Sequence, residues 1–270
     1  MNVSADNIER EQRPADQPSP SWSTLLRCFL RTYLVGAAFN TRGMQNIGLI
    51  YAMEPGLKTI YADFRVRQLA RKRYLRHYNT HMFWTPLLVG IFLSLEDKIA
   101  RGFFPAHILD SVKNTTTYTL SAIGDSVFTG SLLVFWSLTT MAMILTGYPA
   151  AALIWSGAWF LALQCFKLGT FIIGYREGLK FILRLKRWDL INLGVRLKML
   201  NAVLLAMILY LVWPQAEPGG GWALCVAGLG LGAWLIARGI LPRELVILAL
   251  LAVIVGLPLF RPEEWIPFSP

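Results

Sequence analysis

Long apolar segments that carry almost no charge alternate with basic stretches along this chain of 270 residues. An α-helix rises 1.5 Å per residue, so about 20 residues cross a hydrocarbon layer of about 30 Å. Hydrophobic residues make up 55% of the sequence and charged residues only 16%, which is typical of a chain in lipid. The sequence therefore predicts an all-α integral membrane protein with about five transmembrane helices. The predicted spans are residues 127–146, 149–166, 199–213, 221–237 and 245–260.

The net charge of +10 is distributed unevenly. Of the 26 lysines and arginines, 12 lie in residues 1–80 and eight lie in residues 167–198. This distribution is typical of cytoplasmic segments between membrane spans and argues against nucleic acid as a partner. It predicts a cytoplasmic N-terminus and a C-terminus on the periplasmic or outer side. It also predicts that the basic run at residues 65–76 faces anionic lipids.

The pattern divides the chain into four regions. Residues 1–20 are polar and predict a disordered cytoplasmic tail, residues 21–80 predict amphipathic, basic helices, residues 81–198 predict a core transport region, and residues 199–270 predict C-terminal transmembrane helices. The first amphipathic helix would lie along the membrane surface, or alternatively pack on a soluble core. Residues 82–95 are too few to cross the membrane, so a re-entrant hairpin is predicted there.

Asp125 is the clearest ionisable residue next to apolar sequence. Gly124 and Gly130 flank it, and Ser126 follows it directly. A glycine here would permit a break in the helix, where a carboxylate and a hydroxyl could bind a ligand. Alternatively, Asp125 and Ser126 simply cap the following helix. The residues leave both interpretations open.

A second polar group, Asn79 and His81, precedes the short apolar segment. Amide and imidazole groups both donate and accept hydrogen bonds, so these side chains could bind hydroxyl groups such as those of a sugar. The alternative is that the Asn or Thr of this group caps a helix. The sequence contains no complete nucleotide-binding motif or hydrolase triad and no complete metal-ligand motif, so no catalytic nucleophile, cofactor or metal is predicted.

Several ordered motifs resemble those of the IID component of the mannose/fructose/sorbose family of phosphoenolpyruvate-dependent sugar phosphotransferase systems (PTS). One motif, from residue 31 to Pro55, includes Asn40, Gln45 and Asn46; Tyr78-Asn79-Thr80-His81 is similar to the family's Phe-Asn-Thr-His. Residues 123–130 resemble its Ile-Gly-Asp-Ser-Leu-Phe-Trp-Gly, with Thr129 in place of the tryptophan. Gly174 and Tyr175 match its Gly-Tyr motif.

This resemblance implies a subunit of the bacterial inner membrane that pairs with a IIC subunit to bind and translocate a hexose. Cytoplasmic IIA and IIB proteins would carry phosphate to the sugar, and the assembly would be a trimer of IIC–IID pairs. Asn79, His81, Asp125 and Ser126 would then contact the substrate. The altered motif positions motivate a second hypothesis, in which a degenerate paralogue acts as a membrane scaffold or regulatory partner without sugar flux.

Overall fold

The computed structural model describes residues 19–213, residues 219–240 and six single residues between 242 and 251. These residues form helices and no strand, which confirms the all-α class. The helices are α1 (Trp22–Arg31), α2 (Asn46–Ile60), α3 (Phe64–Arg73), α4 (Thr85–Ala100), α5 (Ala106–Gly124), α6 (Leu133–Leu145), α7 (Pro149–Glu177), α8 (Leu179–Leu185), α9 (Leu190–Leu211) and α10 (Gly219–Ala237). A 3-10 helix, Thr32–Ala38, follows α1, and another, Lys186–Trp188, joins α8 to α9. A π-helix, Asp125–Leu132, joins α5 to α6.

Four helical stretches in the described residues are long and apolar enough to cross a membrane. They are Ala106–Leu145, Pro149–Glu177, Leu179–Leu211 and Gly220–Ala237. Four of the five predicted spans lie on these stretches, and the fifth, residues 245–260, lies almost entirely outside the described residues. Most of these helical stretches are longer than the predicted spans, because backbone hydrogen bonding continues through the polar residues that flank each apolar segment.

The chain divides into two compact units, one ending at Leu204 and one beginning at Leu205. The first unit contains the buried core and all of the predicted site residues. In the second unit, the Trp222 ring lies 5.6 Å from the Tyr210 ring, and its indole N–H donates to the Ala206 carbonyl over 3.2 Å.

Helix α4 is the central core helix of the first unit. All of its residues from Thr85 to Glu96 are buried. The hairpin predicted for residues 82–95 was therefore wrong, because residues 82–84 form a turn and residues 85–95 belong to one continuous helix without a reversal. Pro86 sits in the first turn, where its missing N–H costs nothing. A short helix that is apolar on all sides can be buried either in lipid or in the core of a protein, and here it is buried in the core.

Two glycines allow α4 and α7 to pack closely. A Cβ at Gly90 would collide with the Phe171 carbonyl oxygen, and its position also lies 2.9 Å from the Tyr175 backbone nitrogen. A Cβ at Gly174 would lie 2.6 Å from the Leu87 carbonyl oxygen. Gly174 and the Tyr175 backbone therefore belong to this helix contact, which is a packing role.

Helix α1 is amphipathic, as predicted, and Ser21 caps it by accepting from the Thr24 backbone N–H over 3.3 Å. One face of α1 is buried in the core, and an adjacent face exposes apolar side chains. The segment runs beside α7: the Phe29 ring lies 5.6 Å from the Phe171 ring, and the Tyr33 hydroxyl donates to Gln164 Oε1 over 2.5 Å. These contacts fix α1 against a membrane-spanning helix.

A buried ion pair docks α3 onto α4. The Glu96 side chain is fully buried, and the Arg73 guanidinium donates to its two oxygens over 2.6 and 3.2 Å. The Tyr61 hydroxyl donates to Glu96 Oε2 over 2.7 Å. Because a buried carboxylate without such partners would cost several kcal/mol, these contacts explain how Glu96 is tolerated within an apolar helix.

Candidate functional site

His81 contacts the π-helix directly. Its Nε2 atom lies 2.8 Å from Thr129 Oγ1, and its Nδ1 atom lies 3.4 Å from the Phe83 backbone nitrogen. An N–H pointing at Nδ1 requires that nitrogen to be the acceptor, so Nε2 carries the proton and donates to Thr129. The Thr129 hydroxyl proton is then available to another acceptor.

Aromatic rings surround the His81 imidazole. It stacks on Phe128 at 5.3 Å with an interplanar angle of 16°, and Phe83 lies 5.3 Å away on another side. Burial lowers the pKa of His81 below its ordinary value of 6.5, while the nearby Asp125 carboxylate opposes this change. The imidazole is therefore neutral at pH 7, consistent with its role as a donor to Thr129.

Asp125 is the first residue of the π-helix, and its side chain is exposed. Within the part of the chain that the structure describes, the carboxylate has no hydrogen bond and no ion pair. The helix continues through this position, with Gly124 in the ordinary α conformation. The predicted helix break at Gly124 was therefore wrong, and so was the interpretation of Asp125 and Ser126 as a helix cap. Instead, the helix widens to π geometry, which is frequent at functional sites.

The glycines next to Asp125 have different surroundings. A Cβ at Gly124 would collide with the Cβ of His81 and lie 2.9 Å from Trp84 Cδ1. Gly130 is less crowded, because its nearest neighbours would be the Asp125 carbonyl oxygen at 3.2 Å and Lys198 Cε at 3.7 Å. Gly124 therefore allows the π-helix to approach the segment that carries His81.

Ser126 and its neighbours fasten the π-helix to α9. The Lys198 ammonium donates to Ser126 Oγ over 3.1 Å. The buried Ser131 hydroxyl lies 2.8 Å from the Ser126 carbonyl oxygen and 3.1 Å from the Gly194 carbonyl oxygen. Asn201 donates to the Ser131 carbonyl over 2.9 Å. Lys198 brings a positive charge to the group that contains the Asp125 carboxylate.

The structure thus brings His81, Asp125 and Ser126 together and adds Thr129 and Lys198, which sequence analysis missed. Thr129 follows Asp125 by four residues, and this spacing places two residues on one face of an α-helix. The spacing could therefore have indicated from the sequence that Thr129 lies near Asp125. Lys198 gave no such signal, because it is 72 residues from Ser126. We call these five residues the polar cluster.

Asn79 is not joined to the polar cluster by any contact that the structure gives. Its side chain is half-buried and makes no hydrogen bond to the described residues. Helix α4 begins at Thr85 without a side-chain cap, so capping by an Asn or Thr of the Tyr78–His81 group was also wrong. The role of Asn79 in binding a ligand stays a prediction.

The N-terminal motif residues stabilise a loop that contacts the segment before His81. Asn40 donates to Asn46 Oδ1 over 2.9 Å, and Asn46 donates to the Leu75 carbonyl over 2.6 Å. Gln45 accepts from the Thr80 backbone N–H over 3.2 Å, directly before His81. Asn40, Gln45 and Asn46 therefore position the chain that leads to the site.

Two mainly apolar cavities among the described residues of the first unit lie close in sequence to the π-helix, and neither is lined by His81, Asp125 or Ser126. One, of about 240 Å³, is almost wholly apolar and is lined by Trp84, Phe128 and Trp159 among others. The other, of about 500 Å³, carries Thr115, Thr119 and Asp189 in an otherwise mostly apolar wall.

Several known proteins are similar to this chain in sequence. The family model "PTS system mannose/fructose/sorbose family IID component" matches residues 21–216. The fructose permease IID component of Bacillus subtilis (strain 168) is 24% identical over 151 residues, covering 56% of this chain and 54% of that protein. The mannose-specific EIID component of Escherichia coli (strain K12) is 24% identical over 160 residues, covering 57% and 55%. The chain thus aligns with about half the length of these curated relatives.

The fold has a solved counterpart as well. A cryo-electron microscopy structure of the mannose transporter ManYZ with microcin E492 aligns with a TM-score of 0.55 and 19% identity, over 89% of this chain and 97% of the other. Fold and motifs define an all-α membrane protein of the sugar phosphotransferase class. The chain belongs to the IID component family of the mannose/fructose/sorbose phosphotransferase systems.

Proposed function

We propose that this chain is a membrane subunit of a PTS sugar permease in the bacterial cytoplasmic membrane. It pairs with a IIC subunit, as a trimer of such pairs, and the complex translocates a hexose that IIA and IIB proteins phosphorylate. Membership of the IID family and the likeness of the fold to the mannose transporter support this proposal.

The observation that carries the proposal is the Asp125 carboxylate, which is exposed and unpaired among the described residues beside the His81–Thr129 bond. Asp125 lies within the helical stretch Ala106–Leu145, which is long and apolar enough to cross a membrane. Ionisable groups at such positions face a partner, a wet cavity or a substrate. Carboxylate and hydroxyl groups suit sugar hydroxyls, because together they offer acceptors and a donor.

The position of the polar cluster supports coupling to cytoplasmic phosphate donors. The cluster joins the segment after the basic run at residues 65–76 to the start of α9, where Arg196 and Lys198 lie. Basic segments mark the cytoplasmic side, so the N-terminus and the cluster both face the cytoplasm in this proposal. A sugar held there would be within reach of a cytoplasmic phosphoryl donor.

The test is sugar uptake and phosphorylation by membrane vesicles that contain the whole complex. Asp125→Asn removes the charge but keeps the shape, so charge-assisted hydrogen bonds worth about 1.5–3 kcal/mol are weakened, which raises the apparent KM about 10-fold to 100-fold. Asp63→Asn is the matched control. Asp63 caps α3 by accepting from two backbone N–H groups, and asparagine caps equally well.

Three outcomes separate the hypotheses. Reduced uptake by Asp125→Asn with normal membrane insertion supports the site. Unchanged uptake removes Asp125 from the site while leaving the permease function intact. Absence of sugar phosphorylation by the unaltered complex, with this chain present and bound to its IIC partner, would favour the scaffold hypothesis.

A further inference from the structure

A cleft lined mainly by polar side chains opens between α1 and α2, away from the polar cluster. Its volume is about 290 Å³. The side chains that matter here are Thr24, Arg27 and Arg31 from α1, and Glu54, Lys58 and Thr59 from α2. The cleft therefore combines three cations and two hydroxyl groups with a single carboxylate.

That carboxylate is already neutralised. Arg71 of α3 binds Glu54 through both oxygens, with its Nε atom 2.7 Å from Glu54 Oε2. The exposed Lys58 ammonium lies 3.7 Å from Glu54 Oε1, a weaker contact. The charges of Arg27 and Arg31 thus remain uncompensated by Glu54, and the cleft has a net positive charge.

Arg31 is held in place before any ligand arrives. Its guanidinium lies 4.4 Å from the centre of the Tyr51 ring, and its Nη1 atom donates to the Tyr51 carbonyl over 3.2 Å. These contacts use one of the five N–H donors of arginine, and the planar group is well suited to bind phosphate oxygens. Arg27 lies one turn earlier on α1, so the two cations share a face.

An exposed apolar stripe runs along α1 and into the 3-10 helix that follows it. Leu30 of the stripe follows Arg27 of the cleft by three residues, so the two are neighbours on the helix surface. Trp22, Leu26, Leu30 and Tyr33 are each about half exposed, between 46% and 57%. The Arg176 guanidinium lies 5.3 Å from the centre of the Trp22 ring, at the last turn of the candidate span Pro149–Glu177. The Trp22 end of the stripe therefore lies beside the end of a helix long and apolar enough to span a membrane, where tryptophan and arginine commonly contact the interface.

We propose that this cleft binds the phosphate group of an anionic phospholipid, with the acyl chains along the apolar stripe. Arg27 and Arg31 bind the phosphate, and Thr24 and Thr59 are positioned to contact the rest of the headgroup. The continuity of cationic cleft and apolar stripe favours a lipid over a free phosphate compound, which would use only the cleft. The site is independent of the sugar site, so failure of one proposal leaves the other standing.

The experiment is native mass spectrometry of the full chain after delipidation, with added phosphatidylglycerol or phosphatidylcholine. The double variant Arg27→Gln/Arg31→Gln removes the two cations of the cleft. At about 1 kcal/mol per cation near a membrane surface, phosphatidylglycerol binding should weaken about 30-fold. The control Lys180→Gln/Arg187→Gln removes two exposed cations that lie outside the cleft and outside the basic run at residues 65–76, and it should change binding less than threefold.

A second arm identifies the source of the phosphate. Millimolar inorganic phosphate should leave phosphatidylglycerol bound, because it cannot occupy the apolar stripe; complete displacement would overturn the lipid assignment. Equal binding of phosphatidylcholine, or equal loss in the control variant, would overturn the proposal. Arg27→Gln alone should weaken binding about fivefold. This exposed side chain makes no hydrogen bond to the described residues, so the single variant serves if the double variant does not fold.

Discussion

The contact between α4 and α7 yields a sharp stability prediction. In the variant Gly174→Ala, the new Cβ would lie 2.6 Å from the Leu87 carbonyl oxygen and 3.0 Å from Leu87 Cδ1. The carbonyl belongs to a buried helix and cannot rotate away, so the two helices must separate. Overpacking of this kind costs about 3 kcal/mol at its upper range, while alanine in place of glycine returns about 1 kcal/mol of helix propensity. We expect a net loss of about 2 kcal/mol.

Gly169→Ala is the matched control, because Gly169 lies on the same helix and its Cβ would meet nothing within 4 Å. Only the propensity gain of about 1 kcal/mol applies there. Thermal unfolding in mild detergent should show a Tm about 4–8 °C lower for Gly174→Ala and about 2–4 °C higher for Gly169→Ala, at about 2–4 °C per kcal/mol for a unit of this size. Equal Tm values for the two variants would refute the close-packing argument.

Three further predictions follow. Ser131→Ala should lower the free energy of unfolding by about 1–2 kcal/mol, because it removes the buried hydroxyl between the Ser126 and Gly194 carbonyls. The exposed Ser137 hydroxyl bonds only to the Leu133 carbonyl, so Ser137→Ala should cost less. Equal losses in thermal unfolding would contradict the role of Ser131 in holding the π-helix against α9. Burial raises the pKa of Cys28 to about 11, so about one thiol in a thousand is ionised at pH 8. Maleimide should therefore label Cys28 slowly in the folded chain and rapidly after denaturation, and equal rates in the two states would contradict its burial. Because the pKa of His81 is lowered on folding, the folded state binds fewer protons than the unfolded state, and the free energy of unfolding should fall as the pH drops below about 6.5. Unfolding measured between pH 7.5 and 5.5 should show a smaller fall for His81→Gln. An identical fall in the variant would contradict burial of a neutral imidazole.

The candidate site shows how far local patterns reach. The residues around Asp125 and the segment before α4 were recognised as polar exceptions next to apolar sequence, and the structure places His81 beside Asp125. The π-helix was not predicted, and within it the Ser131 hydroxyl contacts the Gly194 carbonyl oxygen of α9, which is 63 residues away in the chain. The partnership of His81 with Thr129 joins residues 48 apart.

The sequence by itself determined whether each segment lies in water or in hydrocarbon, because the free energy of transfer depends on the composition of about 20 consecutive residues. It thus determined the helical class, the spans that the structure describes and the basic segments between them. Only the tertiary structure decided which helices touch. The short segment of α4 became a core helix because Gly90 and Gly174 let α7 approach its backbone, and the polar cluster formed because Gly124 lets the π-helix reach His81. Such contacts depend on the shapes of two surfaces at once, which no single stretch of sequence contains.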